Sequence, residues 1–149
     1  MLRNRPMMHH HVPLLAVSLV MMIHVFGTAI FNIYVTFPHF DIPMHFFGGF
    51  AIGILGTHVY DQVAAYHGIK SWLWWQELLF VMSFVVMVAV FWEFYEFILD
   101  VVVGRLFVVA KNQLSLIDTM GDLFFGWMGG VMAHVFRHPL AQFGLRFKK

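Results

Sequence analysis

Acidic side chains and histidine fall at helical spacing in three separate stretches of the chain: Asp41/His45, Glu93/Glu96/Asp100 and Asp118/Asp122. Intervals of three and four residues put the members of each stretch on one helical face. An imidazole with several carboxylates is a hard, mixed nitrogen–oxygen donor set suited to Zn2+, Mn2+, Fe2+ or Mg2+. A metal held there can activate water for attack on a phosphoester or amide at a membrane surface. On this reading His45, Glu93, Glu96 and Asp122 are the metal ligands. Asp41 or Asp118 is then the catalytic base, or orients a ligand. Without a metal, the same groups form a proton-sharing network. Such a network can act as general acid/base on a lipid-linked substrate, or relay protons or a small solute in a transporter. A third reading makes them helix-bridging groups in a structural or assembly protein. Interhelical hydrogen bonds of that kind contribute only about 0.6 kcal/mol each, so a six-residue network exceeds what packing needs.

The elements that must position these groups are apolar. Glu93 and Glu96 sit within Phe91-Trp92-Glu93-Phe94-Tyr95-Glu96-Phe97, near the end of a long hydrophobic run. A charge at the centre of a spanning helix costs roughly 2.5–3.5 kcal/mol, so two carboxylates there require a reason. The helix macrodipole gives none, because it disfavours acids at a helix C-terminus. Asp41 precedes a proline-containing helix start and can serve as its N-cap, and Ser115-Leu116-Ile117-Asp118 fits a capping box. Neither cap accounts for His45 or Asp122, each one turn deeper. His24 reads as a hydrogen-bonded packing residue, and His39, His58 and Asp100 as interfacial.

Composition sets the class. Of 149 residues, 60% are hydrophobic and only 11% charged, with mean hydropathy +0.76, which excludes an ordinary soluble domain. The absence of cysteine removes disulfides, thiolate metal sites and cysteine nucleophiles, and a net charge of +1 offers no basic patch for nucleic acid. The expected fold is an all-α membrane protein, one domain over residues 1–149. Its four transmembrane helices, near residues 12–37, 43–60, 72–103 and 115–136, form an antiparallel bundle. Arg3, Arg5 and His9 to His11 read as the flank of an uncleaved first span, since the apolar run behind them exceeds a signal-peptide core. His67-Gly68 marks a turn, and Trp72, Trp74 and Trp75 anchor the third span at the interface. Gly104 and Arg105 break that span, the link around Lys111-Asn112-Gln113 lies along the interface, and Arg137, His138 and Pro139 stop the fourth. The positive-inside rule places both termini in the cytoplasm, with Arg3, Arg5, Lys70, Arg137, Arg146, Lys148 and Lys149 inside against Arg105 and Lys111 outside. Four antiparallel spans bring all three acidic stretches to the same, outer membrane face.

Shifting the chain by 77 positions lays Asp41 on Asp118, His45 on Asp122, Gly49 on Gly126 and Gly53 on Gly130. Both segments read Asp-x-x-x-(His/Asp)-x-Phe-x-Gly-x-x-x-Gly, consistent with a two-fold helix-hairpin repeat whose Gly-x-x-x-Gly elements allow close helix approach. With Asp41-x-x-x-His45-Phe46 opening a glycine-rich span, Trp92-Glu93-x-x-Glu96, and Asp118-Thr119-x-x-Asp122 followed by Gly129, the chain resembles the YjdF-like family of uncharacterised bacterial inner-membrane proteins. More distantly, it is similar to the VanZ-like family. The resemblance covers roughly residues 30–135, and departs at Gly126, where such families often place asparagine. It implies a multi-pass inner-membrane protein with the bilayer as partner, and supplies no reaction. The expected function is a metal-dependent or acid/base site acting on a lipid-linked or envelope substrate. The alternatives are small-solute or proton transport, or a structural role; enzyme status and oligomeric state stay open.

Overall fold

The computed structural model describes residues 9–69, 74–106 and 115–137. Arg3, Arg5, Lys70, Lys111, Arg146, Lys148 and Lys149, which carry most of the orientation argument, lie outside the described residues. So do Trp72, Asn112, Gln113, His138 and Pro139. The described chain is helical: α1 (His11–Phe31), a single turn α2 (Ile33–Thr36), a 3-10 turn (Pro38–Phe40), α3 (Asp41–Tyr66), α4 (Trp74–Leu106) and α5 (Leu116–Val135). Three helices are long and apolar enough to cross a membrane: His11–Phe31, Asp41–Tyr66 and residues Trp74–Val102 of α4. At 1.5 Å per residue, the 21 residues of α1 cover about 31 Å, matching a hydrocarbon core of about 30 Å.

The first apolar run does not reach Phe37 as one helix. Asn32 adopts a left-handed conformation (φ 47°, ψ 46°) and its N–H donates to the Gly27 carbonyl, ending α1. Asparagine tolerates this backbone better than most residues because its short amide can bond locally. Pro38 starts the 3-10 turn, and the chain reverses into α3. Phe40, not Asp41, takes the N-cap position of α3, so the capping role expected of Asp41 is corrected and its carboxylate is available to other partners. The turn at His67-Gly68 is present, with Gly68 at φ 64°. Gly104 and Arg105 do not break the third long helix, which continues to Leu106. Ser115 does cap α5, its Oγ accepting the Asp118 N–H at 3.1 Å.

α3 and α5 run parallel and closely packed. A Cβ added to Gly49 would collide with the Gly126 carbonyl, and one added to Gly129 would collide with the Phe46 carbonyl. One turn farther on, a Cβ on Gly53 would lie 2.8 Å from the Ala133 Cβ and 3.0 Å from the Gly130 Cα. Small residues therefore let the two backbones touch, the usual basis of helix association in lipid. α4 runs antiparallel beside them, with Phe84 over Gly56 and Phe80 against Tyr60. Val12 and Ala16, at the start of α1, pack on Ile54 and Ala133.

The far end of the bundle is tied by charge. The Arg137 guanidinium donates to both oxygens of Asp61, at 3.0 and 3.2 Å, and pairs with Glu77. His134 Nδ1 lies 3.6 Å from the same Glu77 carboxylate. Glu77 is 1% exposed and Arg137 6%. Sequence reasoning treats Arg137 as a flanking cation that stops the fourth span. The fold joins it to Asp61 and Glu77 across three helices, because a buried charge survives only when paired.

Two outcomes follow. Gly49→Ala and Gly129→Ala each lower the thermal midpoint of detergent-solubilised protein, at an overpacking cost of about 1–3 kcal/mol. Gly121→Ala, where an added Cβ meets nothing within 4 Å, leaves the midpoint near wild type. Arg137→Met leaves buried carboxylates uncompensated and costs about 3–5 kcal/mol, whereas Asp61→Asn/Glu77→Leu/Arg137→Met recovers much of that loss because all three charged members are gone.

Candidate functional site

The opposite end of the bundle gathers the residues singled out by spacing. Freed from capping, the Asp41 carboxylate faces His45 one turn on, with Oδ1 3.2 Å from Nε2. The close approach of α3 and α5 brings Asp122 to the same imidazole, its Oδ1 3.7 Å from Nε2. α4 adds Glu93 and Glu96 from the other side. Two sets of donor atoms result, Asp41/His45/Asp122 and His45/Glu93/Glu96, each with all atoms within 4.8 Å of one another. His45 belongs to both. Glu93, Glu96 and Asp122 are 6%, 8% and 5% exposed. Five of the six residues expected at the site therefore converge. Asp118 belongs to neither set; it is half-buried at the start of α5. Asp100, farther along the acidic stripe of α4, is also in neither set.

The arrangement concentrates negative charge. Four carboxylates face one imidazole among apolar helices, where unbalanced charge is costly unless a cation or shared proton compensates. The donor set fits a divalent cation. Nitrogen and oxygen ligands about 2.1 Å from one ion lie at most about 4.2 Å apart, so separations up to 4.8 Å close with small side-chain adjustments. Glu96 is already oriented: Trp92 Nε1 donates to its Oε1 at 2.8 Å. Outer partners of this kind fix a ligand's geometry.

Sequence reasoning missed the wall of the site contributed by α1 and the link after it. His24 is hydrogen-bonded as expected, but to Tyr34 (Nδ1 to Oη, 2.7 Å), and its ring stands edge-on to Trp92 with centroids 5.1 Å apart. His24, Tyr34, Asp41, His45, Trp92 and Glu96 together border a cavity of about 150 Å3. No spacing rule links His24 to Trp92; only the return of the chain at Asn32 places them together. On its outer side, between α1 and α4, Val25, Thr28 and Tyr95 line an adjoining groove with His24 and Trp92.

No curated protein and no solved structure matches this chain. One family model does, that of a "Predicted membrane protein (DUF2238)", over residues 2–141. The match covers nearly all of the chain, including every helix and the whole polar cluster, and agrees with three helices suited to a bilayer. The chain therefore belongs to the membrane protein family DUF2238.

Proposed function

We propose that this protein is a multi-pass inner-membrane protein whose carboxylate/histidine cluster binds a divalent cation and acts on a lipid-linked or envelope substrate at the outer membrane face. The observation that carries this reading is the convergence of Asp41, His45, Glu93, Glu96 and Asp122 into two donor sets that share one imidazole. His45, Glu93, Glu96 and Asp122 are the ligands, and Asp41 is the base beside them. Asp118 is left to the start of α5. A divalent ion at such a site supplies an activated water or polarises a substrate oxygen. The protein's own groups do the rest. Trp92 holds Glu96 in place, Asp41 accepts a proton near His45, and the apolar helices exclude bulk water.

The architecture we propose has one domain and four spans, with α5 as the fourth. Its support is that α5 runs parallel to α3 over most of its length, so it lies as deep as a helix that can cross. Glycines and two aspartates dilute its hydropathy. A two-fold repeat is supported by residues related by 77 positions facing each other: His45 with Asp122, Gly49 with Gly126, and Gly53 with Gly130. Within this picture the relationship is YjdF-like, more distantly VanZ-like, and both termini are cytoplasmic.

Elemental analysis of protein purified in detergent without added metal is expected to give close to one divalent ion per chain. The ion is lost in His45→Ala/Glu93→Gln, whereas Asp118→Asn retains it. Metal-free wild-type protein with full function would overturn the cation site. For orientation, a reporter fused after Lys149 is expected to be active in the cytoplasm, and periplasmic activity would reverse the assignment.

A further inference from the structure

The cavity beside the polar cluster is built as a gradient. On α3 it begins at Asp41 and His45 and ends at Ile52, a rise of about 16 Å along the helix axis. On α4 it runs the opposite way in sequence, from Glu96 and Trp92 back to Val88 and Val85. On α1 it passes from His24 to Met21 and Val17. Three helices from distant parts of the chain thus place their polar side chains at one end and their hydrocarbon side chains at the other. The gradient runs along the helix axes, and so along the normal of the membrane they cross. A site for a water-soluble substrate needs no hydrocarbon floor of this kind. A lipid needs both ends, in this order, because its head lies at the interface and its chain points to the bilayer centre.

The cavity is also placed beside the lipid phase. α1 packs on α3 and makes no extensive contact with α4; the His24–Trp92 ring pair bridges the two helices at the cavity. The groove lined by Val25, Thr28 and Tyr95 continues outward from that pair. On its outer surface α1 carries exposed apolar side chains, among them Leu19, Met22 and Phe26. A volume of about 150 Å3 matches cavities that hold a benzene-sized apolar group, and so accepts a segment of one chain rather than a whole lipid.

We infer that this cavity binds one acyl chain of a bilayer phospholipid, entering between α1 and α4, with the lipid head against the Asp41/His45/Glu96 end. This rests on the proposed site and names its substrate class. The polar end is the candidate reaction centre, and the hydrocarbon end positions a lipid-borne group beside it. The His24–Tyr34 hydrogen bond ties α1 to the segment that leads into α3.

The test uses the wild-type chain in vesicles of phosphatidylethanolamine containing a fraction of the same lipid with a diazirine in one acyl chain. After irradiation, adducts are mapped by peptide mass spectrometry. Ala51 and Val85 line the cavity and are only 2% and 1% exposed, so annular lipid cannot reach them. Adducts at Ala51 or Val85 are expected, and they disappear when Val88→Trp fills the chamber while labelling of exposed Leu19 persists. Adducts confined to exposed positions such as Leu19 and Phe26 in the wild-type protein would overturn the inference. The metal reading is tested separately on the same preparation. Adducts at Val85 in metal-free protein support the chain site and remove the cation, whereas bound metal without those adducts removes the chain site alone.

Discussion

The contact on which the rest depends is the backbone-to-backbone meeting of α3 and α5. At Gly49 and Gly129 there is no space for even a methyl group, since the carbonyls of Gly126 and Phe46 occupy it. In lipid no hydrophobic force drives two apolar helices together, so association relies on close packing and on polar contacts. Once the glycines fix the separation and register, His45 and Asp122 are necessarily opposed one turn toward the membrane surface. The polar cluster is in this sense a consequence of the glycine seam. Close packing through the glycines and charge pairing near the surface act on the same pair of helices.

The bundle treats charge differently at its two ends. At one end Arg137 sits against Asp61 and Glu77 with His134 nearby, and opposite charges offset one another. That arrangement is suited to holding helices together. At the other end four carboxylates share one histidine. A low-dielectric interior tolerates the first arrangement by pairing and the second only with an added cation or proton. The contrast separates an end whose charges are paired from an end whose charges are mostly of one sign.

α1 has a different standing from the other long helices. It is the least buried of the three candidate spans, and it meets the site through His24. The left-handed Asn32 ends it abruptly and sends Tyr34 back over the polar cluster. It packs on α3, meets α4 through the His24–Trp92 ring pair, and carries exposed apolar side chains such as Leu19, Met22 and Phe26 on its outer surface.

Composition and hydropathy were enough to establish a membrane protein of apolar helices, because sixty per cent hydrophobic residues and so few charges leave no soluble alternative. Helical spacing identified Asp41/His45, Glu93/Glu96 and Asp122, since carboxylates in an apolar helix demand partners whatever the fold. The Gly-x-x-x-Gly elements marked the seam. Tertiary structure alone decided which polar groups meet. Asp118 carries the same spacing signal as Asp122, yet it stands outside the donor sets at the start of α5, whereas Asp122, one turn deeper, faces His45. Arg137 reads as an interfacial cation, but its guanidinium finds Asp61 from 76 positions away. His24 and Tyr34 enter the site because one asparagine reverses the chain. Periodicity reports the face of a helix on which a residue lies, but not which other helix that face will meet.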